Sequence, residues 1–108
     1  MTNNRYKILS ANILKSGISL EPLGIAEYAW EKNLVIEILN ILNDKRIPVL
    51  GGDVYKIVDN EIKSTYDGWY IDKDETPEFV RKSLDMAKSY IEEYEHLNEG
   101  KYLYSLVF

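Results

Sequence analysis

The stretch IPVLGGDVYKIVDNEIKSTYDGWYI, residues 47–71, decides the fold because extended segments follow one another in it, separated by turn residues. The first segment is predicted to enter a strand at Ile47–Leu50 and to continue over Asp53–Val58. Asp59-Asn60 is a candidate two-residue turn, and Glu61–Tyr66 is then the returning strand. The stretch therefore predicts a β-hairpin or a short meander.

Two glycine sites interrupt these strands. Gly51-Gly52 indicates either a bulge or a close approach of another part of the chain. Asp67-Gly68 indicates a further turn or bulge before residues 69–71. A phosphate-binding turn at Gly51-Gly52 is disfavoured, because it requires a helix directly after the glycines and the chain continues here as a strand. We therefore interpret these glycines as shaping the backbone, with Asp53 bonded to it.

Apolar periodicity predicts two main helices on either side of the hairpin. The first begins between Ala26 and Asn33 and ends at Asn43–Arg46, before Pro48. The second has Thr76 as its cap, Pro77 at its first position and Gly100 at its end. Its buried face repeats at every third or fourth residue: Val80, Leu84, Ala87, Ile91 and Tyr94.

The remaining segments complete the predicted architecture. Residues 101–108 alternate with usable side chains on both faces, which favours a strand inside the sheet. Residues 16–24 are the loosest part of the chain, with two glycines and a proline. The prediction is an α+β fold in one domain, residues 1–108, with two main helices packed on an antiparallel sheet of three to four strands.

Composition excludes several classes of protein. The 108 residues contain no cysteine and one histidine, His96, so disulfide frameworks, thiolate zinc sites and cysteine nucleophiles are absent. No apolar run approaches the roughly 20 residues that span a bilayer. We therefore expect a soluble cytoplasmic protein with no membrane association.

The charge is uneven along the chain. The net charge is −5, composed of +1 over residues 1–50 (six basic against five acidic) and −6 over residues 51–108 (seven against thirteen). Such a surface repels a phosphate backbone, so nucleic-acid binding is disfavoured. A basic partner is easier to accommodate, although mild acidity also serves solubility alone.

Two groups of residues are candidates for binding such a partner. The first lies in and beside the hairpin, where large aromatic side chains alternate with carboxylates: Asp53, Tyr55, Tyr66, Asp67, Trp69, Tyr70 and Asp72. The second is the acidic end of the second helix, where the helix dipole disfavours negative charge: Glu92, Glu93, Glu95 and Glu99. The alternative for the aromatic residues is core filling, and Trp69 fits either role.

The sequence predicts no catalytic residue, metal site or cofactor. His96 has no nucleophile near it in sequence, and nothing brings Asp53 and Asp67 within the distance that two-carboxylate hydrolysis requires. The carboxylates of residues 72–75 lack the alternating spacing of a calcium loop.

Three segments of this chain resemble the immunity protein 40 family of bacterial polymorphic-toxin systems. They are IPVLGGDVY at residues 47–55, TYDGWY at residues 65–70 and SLDMAKSYI at residues 83–91, within a similarity from about Gly24 to Phe108. The family often carries asparagine where Gly68 stands. The resemblance implies a single immunity-protein-like domain that binds and neutralises a cognate toxin domain. It implies no catalytic residues.

Two hypotheses for function therefore remain open. In the first, the protein is a stoichiometric toxin inhibitor, Trp69 and Tyr70 are its main contacts, and the four glutamates accelerate association with a basic toxin. In the second, it is a small regulatory or ligand-binding domain with a pocket near Gly51–Asp53. Either protein could be a monomer, or a homodimer paired through an exposed sheet edge.

Overall fold

The computed structural model describes residues 4–108 and has an α+β fold. The α+β class and the two main helices are confirmed, whereas the first helix and the first two strands are additional to the prediction. The helices are α1 (Ala11–Lys15), α2 (Lys32–Asp44) and α3 (Phe79–Leu97). The strands are β1 (Ile18–Ser19), β2 (Tyr28–Ala29), β3 (Gly51–Val58), β4 (Glu61–Tyr70) and β5 (Tyr102–Val107). Two short 3-10 helices cover Asn4–Ile8 and Glu21–Leu23.

The main sheet has three antiparallel strands in the order β4-β3-β5. The predicted turn at Asp59-Asn60 is confirmed, and its two φ angles of 52° and 65° are left-handed values typical of a two-residue hairpin turn. β5 pairs with β3 along one edge and with Trp30 at a single bridge along the other. The central strand is therefore β3, and β5 has one complete and one partial neighbour.

The strand β3 begins later than the sequence predicts. Its ladder starts at Gly51, so the predicted entry at Ile47 is wrong. Pro48 has no N–H to donate, and the N–H of Val49 donates to Ser83 Oγ on α3 at 3.0 Å. Residues 47–49 therefore precede the pairing, whereas Leu50 already donates to the Val107 carbonyl at 2.7 Å and accepts from the Ile71 N–H at 3.0 Å.

A bulge lies in β4, at the second glycine site. The register shifts between Asp53 and Tyr55 of β3, where residues 65–67 of β4 stand opposite a single residue. The bulge predicted at Asp67-Gly68 is confirmed. At Gly51-Gly52 the pairing is regular, so close approach explains these glycines and a bulge does not.

The start of α3 differs from the prediction. The predicted cap at Thr76 is wrong, because Glu78 occupies the N-cap position; the N–H and hydroxyl of Thr76 both donate to Asp74 Oδ1, at 2.7 and 2.6 Å. The Thr76 carbonyl accepts from the N–H of Phe79, where the helix begins. Pro77 therefore lies in the preceding turn and not at the first helical position.

The end of α3 also differs from the prediction. The helix stops at Leu97 and not at Gly100, because Asn98 is extended and its side-chain amide donates to the Tyr94 carbonyl at 3.0 Å. By contrast, α2 begins and ends within the predicted limits.

The main hydrophobic core lies between the two long helices and one face of the sheet. Val54 and Leu106 face α2 and α3 from the sheet, together with Trp69. The helices contribute, among others, Val35, Ile38, Leu42, Leu84, Ala87 and Ile91. This arrangement confirms the predicted packing of two helices on a sheet.

The opposite face of the sheet is covered by the segment that has the loosest sequence. Residues 18–30 form the β1–β2 hairpin, and Leu20 and Ala29 pack on Tyr55 and Leu103 in a second core. Trp30 and Tyr104 exchange two backbone hydrogen bonds, at 2.8 and 3.0 Å. Both faces of β5 are therefore buried, as its alternation predicts.

Candidate partner-binding surface

The bulge in β4 turns one tyrosine fully into solvent. Tyr66 is 94% exposed and has a φ of 64°, a left-handed value that is unusual for a bulky residue. Three hydrogen bonds hold this geometry. Thr65 Oγ1 donates to the Val54 carbonyl at 2.8 Å, while the N–H groups of Tyr66 and Asp67 donate to Ser64 Oγ and Thr65 Oγ1 at 3.0 and 3.1 Å.

Carboxylates flank Tyr66 on both sides of β4. Tyr70 is 68% exposed, and its hydroxyl donates a long hydrogen bond to Asp53 Oδ1, at 3.4 Å. The charge of Asp53 is the main reason that the pKa of Tyr70 is raised. On the helix side, the hydroxyl of Tyr94 donates to Asp67 Oδ2 at 2.8 Å.

We use the name bulge surface for five predicted residues: Tyr66 at the bulge, Asp67 on the helix side of the sheet, Asp53 and Tyr70 on its other face, and Asp72 beyond the end of β4. Four of the five side chains are exposed and Asp53 is half-buried. Within residues 5–108, the ion pairs are Arg5–Glu27, Lys63–Glu61, Arg81–Asp85 and Lys101–Glu31, and none of them involves a carboxylate of the bulge surface. The surface thus combines exposed aromatic rings with carboxylates that form no ion pair among these residues.

Two of the predicted binding residues lie in the cores. Trp69 is 7% exposed, and its ring centroid is 4.8 Å from that of Tyr90. Tyr55 is buried in the second core against Leu20 and Leu103. In the free protein Tyr66 and Tyr70 are therefore the exposed aromatic residues of this region, while Trp69 fills the core.

The four glutamates of the acidic helix end are not brought together. Glu92 and Glu93 are exposed on α3, but about 100° apart around its axis. Glu95 is half-buried and accepts a hydrogen bond from the Tyr104 hydroxyl at 2.7 Å. Glu99 lies beyond the end of the helix.

A comparison with known families bears on this arrangement. The model of the family described as immunity protein 40 matches residues 19–108. The chain belongs to the immunity protein 40 family. A search of curated proteins and a search of solved structures each found no match.

In this immunity protein 40 family member, a row of aromatic side chains links α3 to the sheet. Tyr94 makes edge contacts with Tyr102 and Tyr104, at centroid distances of 5.1 and 6.3 Å, and lies 6.0 Å from Tyr90. The spacing of Tyr90 and Tyr94 is the only sequence signal of this row, since their partners lie on other elements.

The space beside Gly51 and Gly52, where the ligand-binding hypothesis placed a pocket, is occupied by side chains. A Cβ at Gly52 would lie 2.5 Å from the Trp69 ring, and one at Gly51 would lie 2.7 Å from the Tyr70 ring. A cleft of about 380 Å³ lies elsewhere, lined by Asn43, Asp44, Arg46, Pro77, Val80 and Arg81. The glycine site therefore offers no support for that hypothesis.

Neither a metal-binding cluster nor a membrane-spanning helix is found in the part of the chain that the structure describes. No three histidine, aspartate or glutamate side chains there are placed to hold a metal ion together. None of the helices there has the length and apolar character needed to cross a bilayer.

We expect the family member to lose stability above about pH 10, where unfolded tyrosine ionises. Burial raises the pKa of Tyr90, Tyr94 and Tyr104, and for Tyr104 the bond to Glu95 raises it further. Because these pKa values are raised in the folded state, folding keeps the tyrosines protonated. Their contribution is complete below pH 10 and declines as the pH rises. Urea unfolding at pH 8 and pH 11 measures the change.

Tyr104→Phe is the matched variant for this pH dependence. It removes a hydrogen bond to a carboxylate and is expected to cost about 1.5–3 kcal/mol at pH 8. It should also lose less stability than the wild type between pH 8 and pH 11. An equal loss in both proteins would exclude Tyr104 as a source of the alkaline dependence.

Proposed function

We propose that this chain is a cytoplasmic immunity protein that neutralises a cognate toxin domain by stoichiometric binding through the bulge surface. Membership of the immunity protein 40 family supports the class of function. The single observation that carries the binding surface is Tyr66, which is 94% exposed on a backbone held in a left-handed conformation.

The left-handed conformation of Tyr66 has a steric cost, and its exposed ring contributes little to the stability of the free protein. A left-handed residue other than glycine costs about 1–2 kcal/mol, and an exposed ring gains little burial to offset it. Exposed tyrosines are among the side chains that contribute most to protein–protein interfaces. Burial of the ring against a partner gives this conformation a function.

The charge of the bulge surface points to a basic partner. Asp53, Asp67 and Asp72 have no ion-pair partner within the described residues, and the chain from residue 51 onward has a net charge of −6, from seven basic and thirteen acidic residues. A toxin that acts on nucleic acid has a basic active site, and a negative surface placed over it competes with the phosphate backbone. Inhibition of this kind requires occlusion and no catalysis by the immunity protein.

The experiment that tests the function uses the reading frame immediately upstream of this chain in its source genome. We would express the C-terminal domain of the upstream reading frame alone and together with this protein, and record growth and co-purification. Toxicity that is relieved by co-expression, with a one-to-one complex, supports the proposal. Toxicity that persists, with no complex, for this and every other candidate toxin of the source genome contradicts it.

Substitution of Tyr66 tests the surface within that complex. Tyr66→Gly is expected to raise the dissociation constant about 30-fold, equivalent to about 2 kcal/mol, because the ring is lost. It should at the same time raise the free energy of unfolding by about 1 kcal/mol, because glycine adopts the left-handed conformation without strain. Calorimetric titration and urea unfolding measure the two effects.

The exposed Ile18 on β1 is the control for loss of apolar surface. Ile18→Ala should leave the dissociation constant within about twofold of the wild type, since it lies outside the bulge surface. A Tyr66→Gly protein that binds as tightly as the wild type would place the interface elsewhere.

A further inference from the structure

The helix α3 presents two different sides to solvent on either side of its buried face. Met86, Tyr90, Glu93 and Leu97 follow one another at intervals of four, three and four residues, so they line one side. Met86 is 40% exposed and Leu97 is 69% exposed, so this side of the helix leaves two apolar side chains open to solvent.

This side of α3 borders β4. The ring of Tyr90 packs on Trp69, with 4.8 Å between the ring centroids. One turn later on α3, the hydroxyl of Tyr94 donates to Asp67 Oδ2 at 2.8 Å. These contacts place the exposed side of α3 directly beside the bulge and make the two exposed areas continuous.

The other side of α3 has its own internal partners. Arg81 pairs with Asp85 at 3.3 Å, Lys88 lies one turn before Glu92, and Glu95 accepts the Tyr104 hydroxyl. Leu84, Asp85 and Lys88 also face α2 across a shallow cleft with Leu39 and Asn40. This side is mixed in charge and partly covered.

We infer that the toxin domain docks on the side of α3 that faces β4, over a surface formed by Met86, Tyr90, Glu93 and Leu97 together with Tyr66 and Asp67. This inference rests on the proposed function and extends it to residues of the helix. The partner covers Met86 and Leu97 with apolar side chains and places lysine or arginine against Glu93 and Asp67. Of the four glutamates at the helix end, Glu93 therefore steers association and Glu92 does not.

Charge complementarity selects this occupant over a second copy of the chain. The six positions of the surface carry two carboxylates and no lysine or arginine. A symmetric dimer through the same surface would bury these carboxylates against positions that offer no lysine or arginine, whereas a basic toxin would neutralise them.

The absence of cysteine allows adjacent positions to be compared directly. We would prepare E93C and E92C, two exposed single-cysteine variants, and measure their rates of maleimide labelling with and without the toxin domain whose toxicity this chain suppresses. The complex should slow labelling of E93C at least tenfold and leave E92C within twofold. Equal protection at both positions, or protection of E92C alone, would overturn the inference.

Rates of association provide the second measurement. E93Q is expected to slow association about threefold at low salt and to match the wild type at high salt, while E92Q matches it throughout. L97A is expected to raise the dissociation constant about tenfold with unfolding free energy unchanged, since Leu97 is exposed. Normal binding by both E93Q and L97A would overturn the surface on α3.

The outcomes separate this inference from the proposed function. Failure of the wild-type protein to bind any candidate toxin overturns both. A tight wild-type complex that is weakened by Tyr66→Gly but insensitive to E93Q and L97A overturns the inference alone. Sedimentation of the chain without a toxin tests whether a second copy occupies this surface. A dimer that dissociates in the L97A variant would assign the surface to self-association.

Discussion

Trp69→Ala is expected to lower the free energy of unfolding by about 3–5 kcal/mol, because it removes a large side chain from the main core. The ring fills the space between β4 and α3, against Tyr90 on one side and over Gly52 on the other. Neither neighbour can collapse into the cavity, since one is held in the aromatic row and the other is backbone. Urea unfolding of the free protein measures the loss.

The adjacent residue is the matched control for this substitution. Tyr70→Ala is expected to change the free energy of unfolding by less than about 1 kcal/mol, because Tyr70 is 68% exposed and its bond to Asp53 is long, at 3.4 Å. A Trp69→Ala protein as stable as Tyr70→Ala would contradict the core position of Trp69. The pair thus separates the two roles that the sequence leaves open for Trp69.

Gly52→Ala is expected to cost about 3 kcal/mol, at the upper end of the usual range for overpacking. Its Cβ would lie 2.3 Å from the Ser105 carbonyl oxygen and 2.5 Å from the Trp69 ring. The carbonyl belongs to the ladder between β3 and β5, so it cannot move without breaking strand pairing. Chemical unfolding of the variant measures the cost.

Two further variants distinguish this clash from a general cost of replacing glycine. A Cβ at Gly24 would have no neighbour within 4 Å, so Gly24→Ala meets only the strain of a left-handed φ of 76° and should cost about 1 kcal/mol. Trp69→Phe should partly relieve Gly52→Ala in a double-mutant cycle, because a smaller ring leaves room for the added methyl group. Additive effects in that cycle would show that the ring is not the obstacle.

The sequence predicts the elements whose signals are local. The apolar run of α2 sets both of its ends, because Pro48 stops the helix and the periodicity begins near Lys32. Asp59-Asn60 specifies its turn because both residues tolerate left-handed φ angles. The alternation of residues 101–108 likewise predicts a strand buried on both faces.

Local signals mislead where a side chain has a competing partner. Thr76 has the chemistry of a helix cap, but its N–H and hydroxyl bond to Asp74 in a turn, and the helix begins three residues later at Phe79. Segment 18–30 lacks strong periodicity and yet covers part of one face of the sheet, because its two-residue strands are stabilised by contacts with distant residues such as Tyr55 and Leu103.

Some features of the candidate site are likewise predicted by the sequence, and others depend on the tertiary structure. The sequence by itself determined the acidic balance, the abundance of tyrosine and the pairing of aromatic residues with carboxylates, because these depend on composition and spacing alone. Only the tertiary structure decided that Trp69 lies in the core, that Tyr66 points into solvent, and that Glu92 and Glu93 lie on different sides of α3. The physical reason is that exposure depends on which surface packs against each residue, and here those surfaces come from segments far away in the chain.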